Sequence, residues 1–310
     1  MGDKILLVTG ASGFIGRHFV SLLSEDSFIA LGRKNIGFKH FISFDFSKDK
    51  SLMLPDGIET IVHFAGCTKT INKDDYFKIN VDATANLIEM AVKNKVKKFV
   101  LISSQAAAGP IAKNEDDKPN PVSIYGKSKL LAEKKVLQYK NELDVLIIRP
   151  PAVFGPFDTD FYKTYKMVKN GIIPLINNNL FSYVYVKDLV ENILKLINCN
   201  TKSGEIFFVS ATNPISQKGF IQNIAEIMSK KVTFIKIPKQ IAFTVAWLNE
   251  LKNKVLRKPD IFSVDKVREI VAGDWVCSNE KLKKFIEPVE TPISDALRET
   301  YEWYKENKWL

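Results

Sequence analysis

The 310-residue sequence is poor in cysteine, with only Cys67, Cys199 and Cys277. They are scattered, odd in number and without metal-ligand spacing. Neither a disulfide framework nor a metal site is expected, and a reducing cytoplasm is. No apolar run approaches the roughly 18 residues that a spanning helix needs. The opening "MGDKILLVTG" enters an apolar, strand-like run at once, with no following small-residue cleavage site, so no secretory signal is expected. Internal repeats, low-complexity tracts and obvious linkers are missing too. Acidic residues are outnumbered, 35 against 45 Lys and Arg, for a net charge of +10. An anionic cofactor, a membrane surface or nucleic acid could each account for that excess. The lysines are spread along the chain and no nucleic-acid motif is found, so the reading is a generally basic surface and no nucleic-acid partner.

What is present is 45% apolar residues, enough for a large core in one big domain or two intimate ones. The first half alternates. "KILLVTG", "SFIALGR", "HFISFD", "IETIVHFAG", "KKFVLISS" and "LDVLIIRP" read as strands. "FIGRHFVSLLSED", "NVDATANLIEMAVKNK" and "SIYGKSKLLAEKKVLQYK" have helical spacing. Apolar strands separated by helices mean βαβ units and a parallel sheet covered on both faces. The fold class is therefore α/β, a doubly wound parallel sheet of Rossmann type with a smaller, mostly helical C-terminal region. A dinucleotide-binding domain is expected over 1–150, with 181–200 returning to it. A substrate-binding region is expected over 151–180 and 201–310.

"VTGASGFIG" (8–16) places Gly10, Gly13 and Gly16 after a strand and at the opening of a helix. Gly10 would allow the tight turn, Gly13 close approach of a pyrophosphate, and Gly16 close packing of helix on strand. This G-x-x-G-x-x-G spacing resembles that of the extended short-chain dehydrogenase/reductase superfamily. That group contains nucleotide-sugar epimerases and 3β-hydroxysteroid-type dehydrogenases. Further matches follow in order: "HFAG" (63–66), "INVDATANL" with Asn80, "FVLISS", "YGKSK" (125–129), "RPPAVFGP" and "YVYVKDLV". The resemblance covers residues 4–210 well and the rest loosely. It implies cofactor contacts at Gly10, Ser12, Gly13, Phe14, Ile15 and Gly16 of the glycine loop. Beyond that loop it implies Arg33, Asp45, Phe46, Phe64, Ala65, Gly66, Asn80, Lys129, Pro151 and Val153.

The same resemblance implies a catalytic set of Ser104, Tyr125 and Lys129. Residues four apart share a helix face, so Tyr125 and Lys129 would both point at the nicotinamide. A free phenol titrates near pH 10, too high for an efficient base at neutral pH. A neighbouring ammonium and an oxidised nicotinamide would both favour phenolate. Lys129 is also expected to bond the nicotinamide ribose. The family's hydroxyl donor lies five positions before the loop glycine, which selects Ser104 over Ser103.

NAD users of this fold carry an acid at the end of the second strand. Here Arg33 stands there, which favours NADP over NAD, since a guanidinium can pair with a 2′-phosphate. Nucleotide-sugar members usually place an Asn and an Arg where this chain has Ala152 and Phe181, and dehydratases an Asp-Glu pair where it has Gln105-Ala106. These departures point to the 3β-hydroxysteroid dehydrogenase and dihydroflavonol reductase branches, which act on hydrophobic alcohols and ketones. The expected function is an NAD(P)-dependent oxidoreductase interconverting a secondary alcohol and a ketone, or reducing a related carbonyl. A nucleotide-sugar epimerase is the alternative, and a non-catalytic dinucleotide-binding regulator a third reading. Residues 241–256 read as a core helix of the substrate region, or alternatively as a lip for peripheral membrane contact. A homodimer through helices 81–95 and 121–140 is expected.

Overall fold

The structure is a computed structural model that describes every residue except 1–4, 47, 50, 51 and 261. The first half runs β1 (Ile5–Thr9), α1 (Phe14–Val20), β2 (Phe28–Gly32), β3 (Phe41–Ser43), β4 (Ile58–His63), α2 (Asp74–Phe77), a π-helical turn (Lys78–Asp82), α3 (Ala83–Lys93), β5 (Lys98–Ile102), α4 (Gln105–Ala108), α5 (Ile124–Leu137) and β6 (Asp144–Arg149). The second runs β7 (Ala152–Phe154), α6 (Phe161–Asn170), β8 (Ile172–Leu175), β9 (Leu180–Phe181), β10 (Tyr183–Tyr185), α7 (Val186–Asn198), β11 (Glu205–Phe208), β12 (Ile215–Ser216), α8 (Gln217–Ile227), β13 (Thr233–Lys236), α9 (Lys239–Leu256), α10 (Val264–Val271), α11 (Glu280–Lys283) and α12 (Ile293–Glu306). α1 stops at Val20, short of its helical spacing. Leu22 and Leu23 continue in tighter turns, bonded to Phe19 and Val20 at 3.1 Å.

The main sheet has seven strands in the order β11-β6-β5-β4-β1-β2-β3, and every pairing is parallel. Side chains alternate between two buried faces, as strand geometry requires. Leu6, Val8, Val62, Val100, Ile102, Leu146 and Ile148 face one way, with Phe19 of α1 and Leu189 and Ile193 of α7. Leu7, Ile61, Phe99, Leu101, Val145 and Ile147 face the other, with Leu87 and Ile88 of α3 and Ala132 and Val136 of α5. This explains why the strands are apolar runs rather than alternating ones. The strand order reverses between β1 and its neighbours β4 and β2. The carboxyl ends of the strands there form the crevice in which such sheets bind ligands.

Two expectations change. Glu205–Phe208, assigned to the substrate region, form β11 and pair with β6 as the sheet's seventh strand. The chain therefore stays with the main sheet through α7 and β11, because a parallel strand needs a helical crossover and α7 supplies it. Within the 181–200 segment expected to return to the dinucleotide-binding domain, α7 packs on the main sheet, while residues 183–185 pair with β7 in a separate two-stranded sheet. A third core of Phe154, Tyr165, Tyr183, Phe220, Ile224, Leu297 and Tyr304 joins β7, β10, α6, α8 and α12. α9 also departs from its core-helix reading, since only Ala242 and Ala246 of its residues are buried. Among the described residues no helix is long and apolar enough to cross a membrane.

Candidate active site

The glycine loop is built as the sequence implies. Gly10 has φ +68°, and a Cβ there would fall 2.7 Å from the Ala65 nitrogen. A Cβ on Gly16 would lie 2.2 Å from the Gly10 carbonyl oxygen, so α1 can start against β1 only with glycine at that point. The Gly13 N–H donates to the Gly10 carbonyl at 2.9 Å and closes the turn. Ser12 is exposed, and its carbonyl accepts from Arg17 Nη2 at 3.0 Å. Phe14 and Ile15 are half-buried in the first turn of α1.

Because the strands are parallel, the residues that follow their carboxyl ends line one edge. Arg33 follows β2 directly and is exposed. Asp45 follows β3; its N–H donates to Asp49 Oδ2 at 2.6 Å, and its carboxylate lies 3.7 Å from Lys48. Phe64, Ala65 and Gly66 follow β4, Ser104 follows β5, and buried Pro151 and half-buried Val153 follow β6. Within this group two aromatic rings turn inward. Phe64 packs on Phe19 at 5.1 Å, and Phe46 packs on Phe44 at 5.0 Å and His63 at 5.7 Å. At both positions the ring is spent on the core, which leaves the backbone as the part available to a ligand.

His63 was not singled out in the sequence, yet it fixes this edge. It is buried, and burial with the Lys129 charge drives its pKa down to about 3, so the ring is neutral. The Thr9 hydroxyl accepts the Ala65 N–H at 3.1 Å and lies 2.7 Å from His63 Nδ1, while Nε2 lies 3.0 Å from the Thr84 hydroxyl. A neutral imidazole donates from one ring nitrogen and accepts at the other, so His63 bonds both hydroxyls at once. One neutral ring thus ties β1, β4 and α3 beneath the Phe64–Gly66 loop.

Asn80 has a similar office. It sits in the π-helical turn and is buried. Its Nδ2 donates to the Cys67 carbonyl at 3.0 Å and to Ser128 Oγ at 2.9 Å, and its Oδ1 accepts the Cys67 N–H at 2.7 Å. Both of its amide N–H donors are used by protein groups, and it clamps the Gly66–Cys67 loop to α5. A Cβ on Gly66 would lie 3.2 Å from Asn80 Oδ1 and 3.9 Å from Lys129 Nζ.

Ser104, Tyr125 and Lys129 come together at the start of α5. Ser123 caps that helix by accepting the Gly126 N–H at 3.0 Å. Ser104 accepts the Ala106 N–H at 3.1 Å, and its hydroxyl favours the anionic form of the Tyr125 phenol. Ser103 points elsewhere: its hydroxyl donates to Glu133 Oε1 at 2.5 Å. Lys129 is buried and donates to the Ile102 carbonyl at 2.7 Å. Burial lowers its pKa to about 8, against the opposing charge of Glu133.

The expectation that Lys129 holds the phenol near phenolate does not describe this state. Burial pushes Tyr125 up to about 12; the Ser104 hydroxyl opposes the rise, and the charges of Glu269 and Cys67 add to it. Desolvation disfavours the anion, and the ammonium is engaged with a carbonyl. Tyr125 is therefore a neutral phenol, a proton donor rather than a base, until a cationic nicotinamide arrives.

Tyr76 and Asp265, which carried no sequence signal, stand beside Tyr125. The Tyr76 ring lies 6.1 Å from that of Tyr125. Asp265 of α10 accepts the Ile124 N–H at 2.7 Å and approaches the Tyr125 N–H at 3.5 Å, which anchors the helix end that carries the phenol. Ala152, in β7, lies in register with Tyr183. Phe181 packs its ring 5.5 Å from Phe220.

Comparison with known proteins gives concordant results. The model of the NAD dependent epimerase/dehydratase family matches residues 6–210. A ceramide reductase of Caulobacter vibrioides is 24% identical over 99% of this chain and 96% of its own length. A UDP-glucose 4-epimerase of Vibrio cholerae is 28% identical over 90% of each. A sterol-4-alpha-carboxylate 3-dehydrogenase of Schizosaccharomyces pombe is 26% identical over 98% of each. Among solved structures, MoeE5 in complex with UDP-glucuronic acid and NAD superposes with a TM-score of 0.79 at 21% identity, covering 98% of this chain and 100% of that one.

Proposed function

The chain belongs to the NAD dependent epimerase/dehydratase family, and we propose that within it this protein is an NAD(P)-dependent oxidoreductase acting on a lipophilic secondary alcohol or ketone. One observation carries the reading: Tyr125 and Lys129 stand one helical turn apart at the start of α5, with the Ser104 hydroxyl acting on the phenol, at the sheet edge that holds the glycine loop. A bound nicotinamide would supply hydride to the carbonyl carbon in the reductive direction. Tyr125 gives its proton to the oxygen while Ser104 holds that oxygen in place. The non-catalytic reading is disfavoured by this intact set.

Lipophilic substrates are supported at two positions. Where nucleotide-sugar members usually bring an Asn and an Arg to a diphosphate, this chain has half-buried Ala152 and has Phe181 in an aromatic cluster with Tyr183 and Phe220. The full-length ceramide reductase and sterol dehydrogenase relatives agree with that preference. The epimerase relative keeps a nucleotide-sugar reading alive as the competitor. A screen of NADPH oxidation against long-chain and polycyclic ketones, run beside UDP-sugars, separates the two. Turnover on the ketones is expected. Epimerised UDP-sugar with no net NADPH consumption would replace this reading with the other.

Exposed Arg33, directly after β2, supports NADP over NAD. NADPH should bind about tenfold more tightly than NADH, as loss of a charged hydrogen bond implies, and Arg33→Asp should reverse the order. A fluorescence titration giving equal affinities for the unmutated protein would remove the 2′-phosphate claim.

The remaining proposals concern setting. Free Cys67, Cys199 and Cys277 support the cytoplasm. α3 and α5 pack side by side, and Leu131 of α5 is 41% exposed, which supports a homodimer through this pair. Light scattering should give twice the 35.1 kDa chain mass, reduced by Leu131→Lys. A single-chain mass at all concentrations would exclude the dimer. A lipophilic substrate resides in membranes, which supports peripheral membrane contact.

A further inference from the structure

α9 buries very little of itself. Ala242 and Ala246 pack against Val267 of α10, with Phe243, Phe262, Val264 and Val271 around them. These α9 positions fall on one side of a helical projection. The opposite side carries Ile241, Val245, Leu248, Leu251 and Val255, each between 42% and 83% exposed, with Trp247 at the margin, 54% exposed. Single exposed apolar residues are ordinary on a protein surface. An apolar stripe running the length of a helix, here broken by exposed Thr244 and Lys252, marks a contact.

The charge around the stripe has one sign. Lys252, Lys254, Arg257 and Lys258 are exposed at its C-terminal end, and Lys236 and Lys239 at its N-terminal end. The acid of the helix, Glu250, is turned inward, where its carboxylate accepts the Val264 N–H at 2.9 Å. A second copy of the chain would bring these same cations against one another. An anionic surface neutralises them.

We propose that α9 is an interfacial helix that seats on a bilayer containing anionic phospholipid. Ile241, Val245, Leu248, Leu251 and Val255 enter the acyl boundary, Trp247 sits at headgroup level, and the flanking lysines and Arg257 meet lipid phosphates. The docked helix lies one element from the chemistry: α10 packs on α9, and Asp265 of α10 holds the N-terminus of α5 at Tyr125. The lipophilic-substrate reading supplies the use of such docking, and docking rests on it in that respect; the surface itself belongs to α9 alone.

Co-sedimentation of the full chain with vesicles tests it, comparing pure phosphatidylcholine with an equal mixture of phosphatidylcholine and phosphatidylglycerol. Binding to the mixture should be at least about tenfold tighter and should weaken with added salt. Trp247 emission, isolated by difference from Trp247→Phe, should shift to the blue on binding. Val245→Glu with Leu248→Glu should abolish binding while leaving the circular dichroism spectrum and turnover of a water-soluble ketone unchanged, because both residues are exposed and remote from the catalytic set. Equal or absent binding to the two vesicle types, or binding that survives the double substitution, would overturn the proposal. So would a concentration-dependent dimer that the same double substitution dissolves, since a second copy would then be the occupant. Turnover of a soluble ketone without vesicle binding would sink docking and spare the oxidoreductase. Vesicle binding without any ketone turnover would do the reverse.

Discussion

Tyr125→Phe is expected to lower turnover by at least about 100-fold while NADPH affinity changes little. The ring stays, so the packing beside Tyr76 is kept. What goes is the hydroxyl that burial keeps protonated, with a pKa pushed up to about 12. A neutral phenol at that position can give a proton to a developing alkoxide but cannot take one at neutral pH without help. The help is the cationic nicotinamide together with the Lys129 ammonium. That ammonium is itself only partly charged in alkaline solution, because its pKa is lowered to about 8. Lys129→Met should therefore damage turnover and cofactor affinity together. Ser104→Ala should lower turnover with less effect on the cofactor. Steady-state kinetics on a responsive ketone, paired with NADPH titration of each variant, reads all three. Near-normal turnover of Tyr125→Phe would return "YGKSK" to an ordinary helix face.

How much of this was legible beforehand follows from the range of the interactions. Strand and helix alternation is local, so six of the main-sheet strands were readable from apolar runs. β11 was readable as a strand but not as a member of that sheet, because its partner β6 lies some 60 residues earlier in register, Glu205 against Leu146. The glycine loop was readable because the close approaches at Gly10 and Gly16 forbid a side chain. The Tyr125–Lys129 pair was readable because one helical turn brings them together. Three things were hidden. Asp265 reaches the α5 N-terminus from 140 positions away. Asn80 also clamps the Gly66–Cys67 loop to α5, through Cys67 and Ser128. The direction of the Tyr125 shift depends on burial, which no spacing reveals. One signal was available and unused. Arg149 and Glu133 are both charges inside apolar context, Arg149 ending the run "LDVLIIR" and Glu133 within a helix that must cover a sheet. Two such charges of opposite sign ask for each other.

They do meet, and the second large effect lies there. Glu133 and Arg149 are 1% and 2% exposed. Arg149 Nε donates to Glu133 Oε1 at 3.0 Å and Nη2 donates to Oε2 at 2.6 Å, a fork that also receives the Ser103 hydroxyl. Glu133→Ala leaves a guanidinium buried without its counter-charge, and should cost about 3–5 kcal/mol of stability in a urea titration. Replacing both partners, as Glu133→Leu with Arg149→Met, removes both charges together and should restore most of that loss. Glu133→Leu alone fills the hole but leaves the guanidinium unpaired, so its loss set against that of the double replacement distinguishes an unpaired charge from an unfilled hole. Ser103→Ala removes only the third contact and should cost about 1 kcal/mol, with turnover much less affected than in Ser104→Ala. The pair also bears on chemistry, because the Glu133 charge is what holds the Lys129 pKa up against burial. With Glu133 gone Lys129 loses charge at lower pH, so cofactor binding by folded Glu133→Gln should begin to weaken at a lower pH than in the unmutated protein. A shared pH dependence would confine Glu133 to the fold. A displaced one joins the buried pair, through Lys129, to the site it lies beneath.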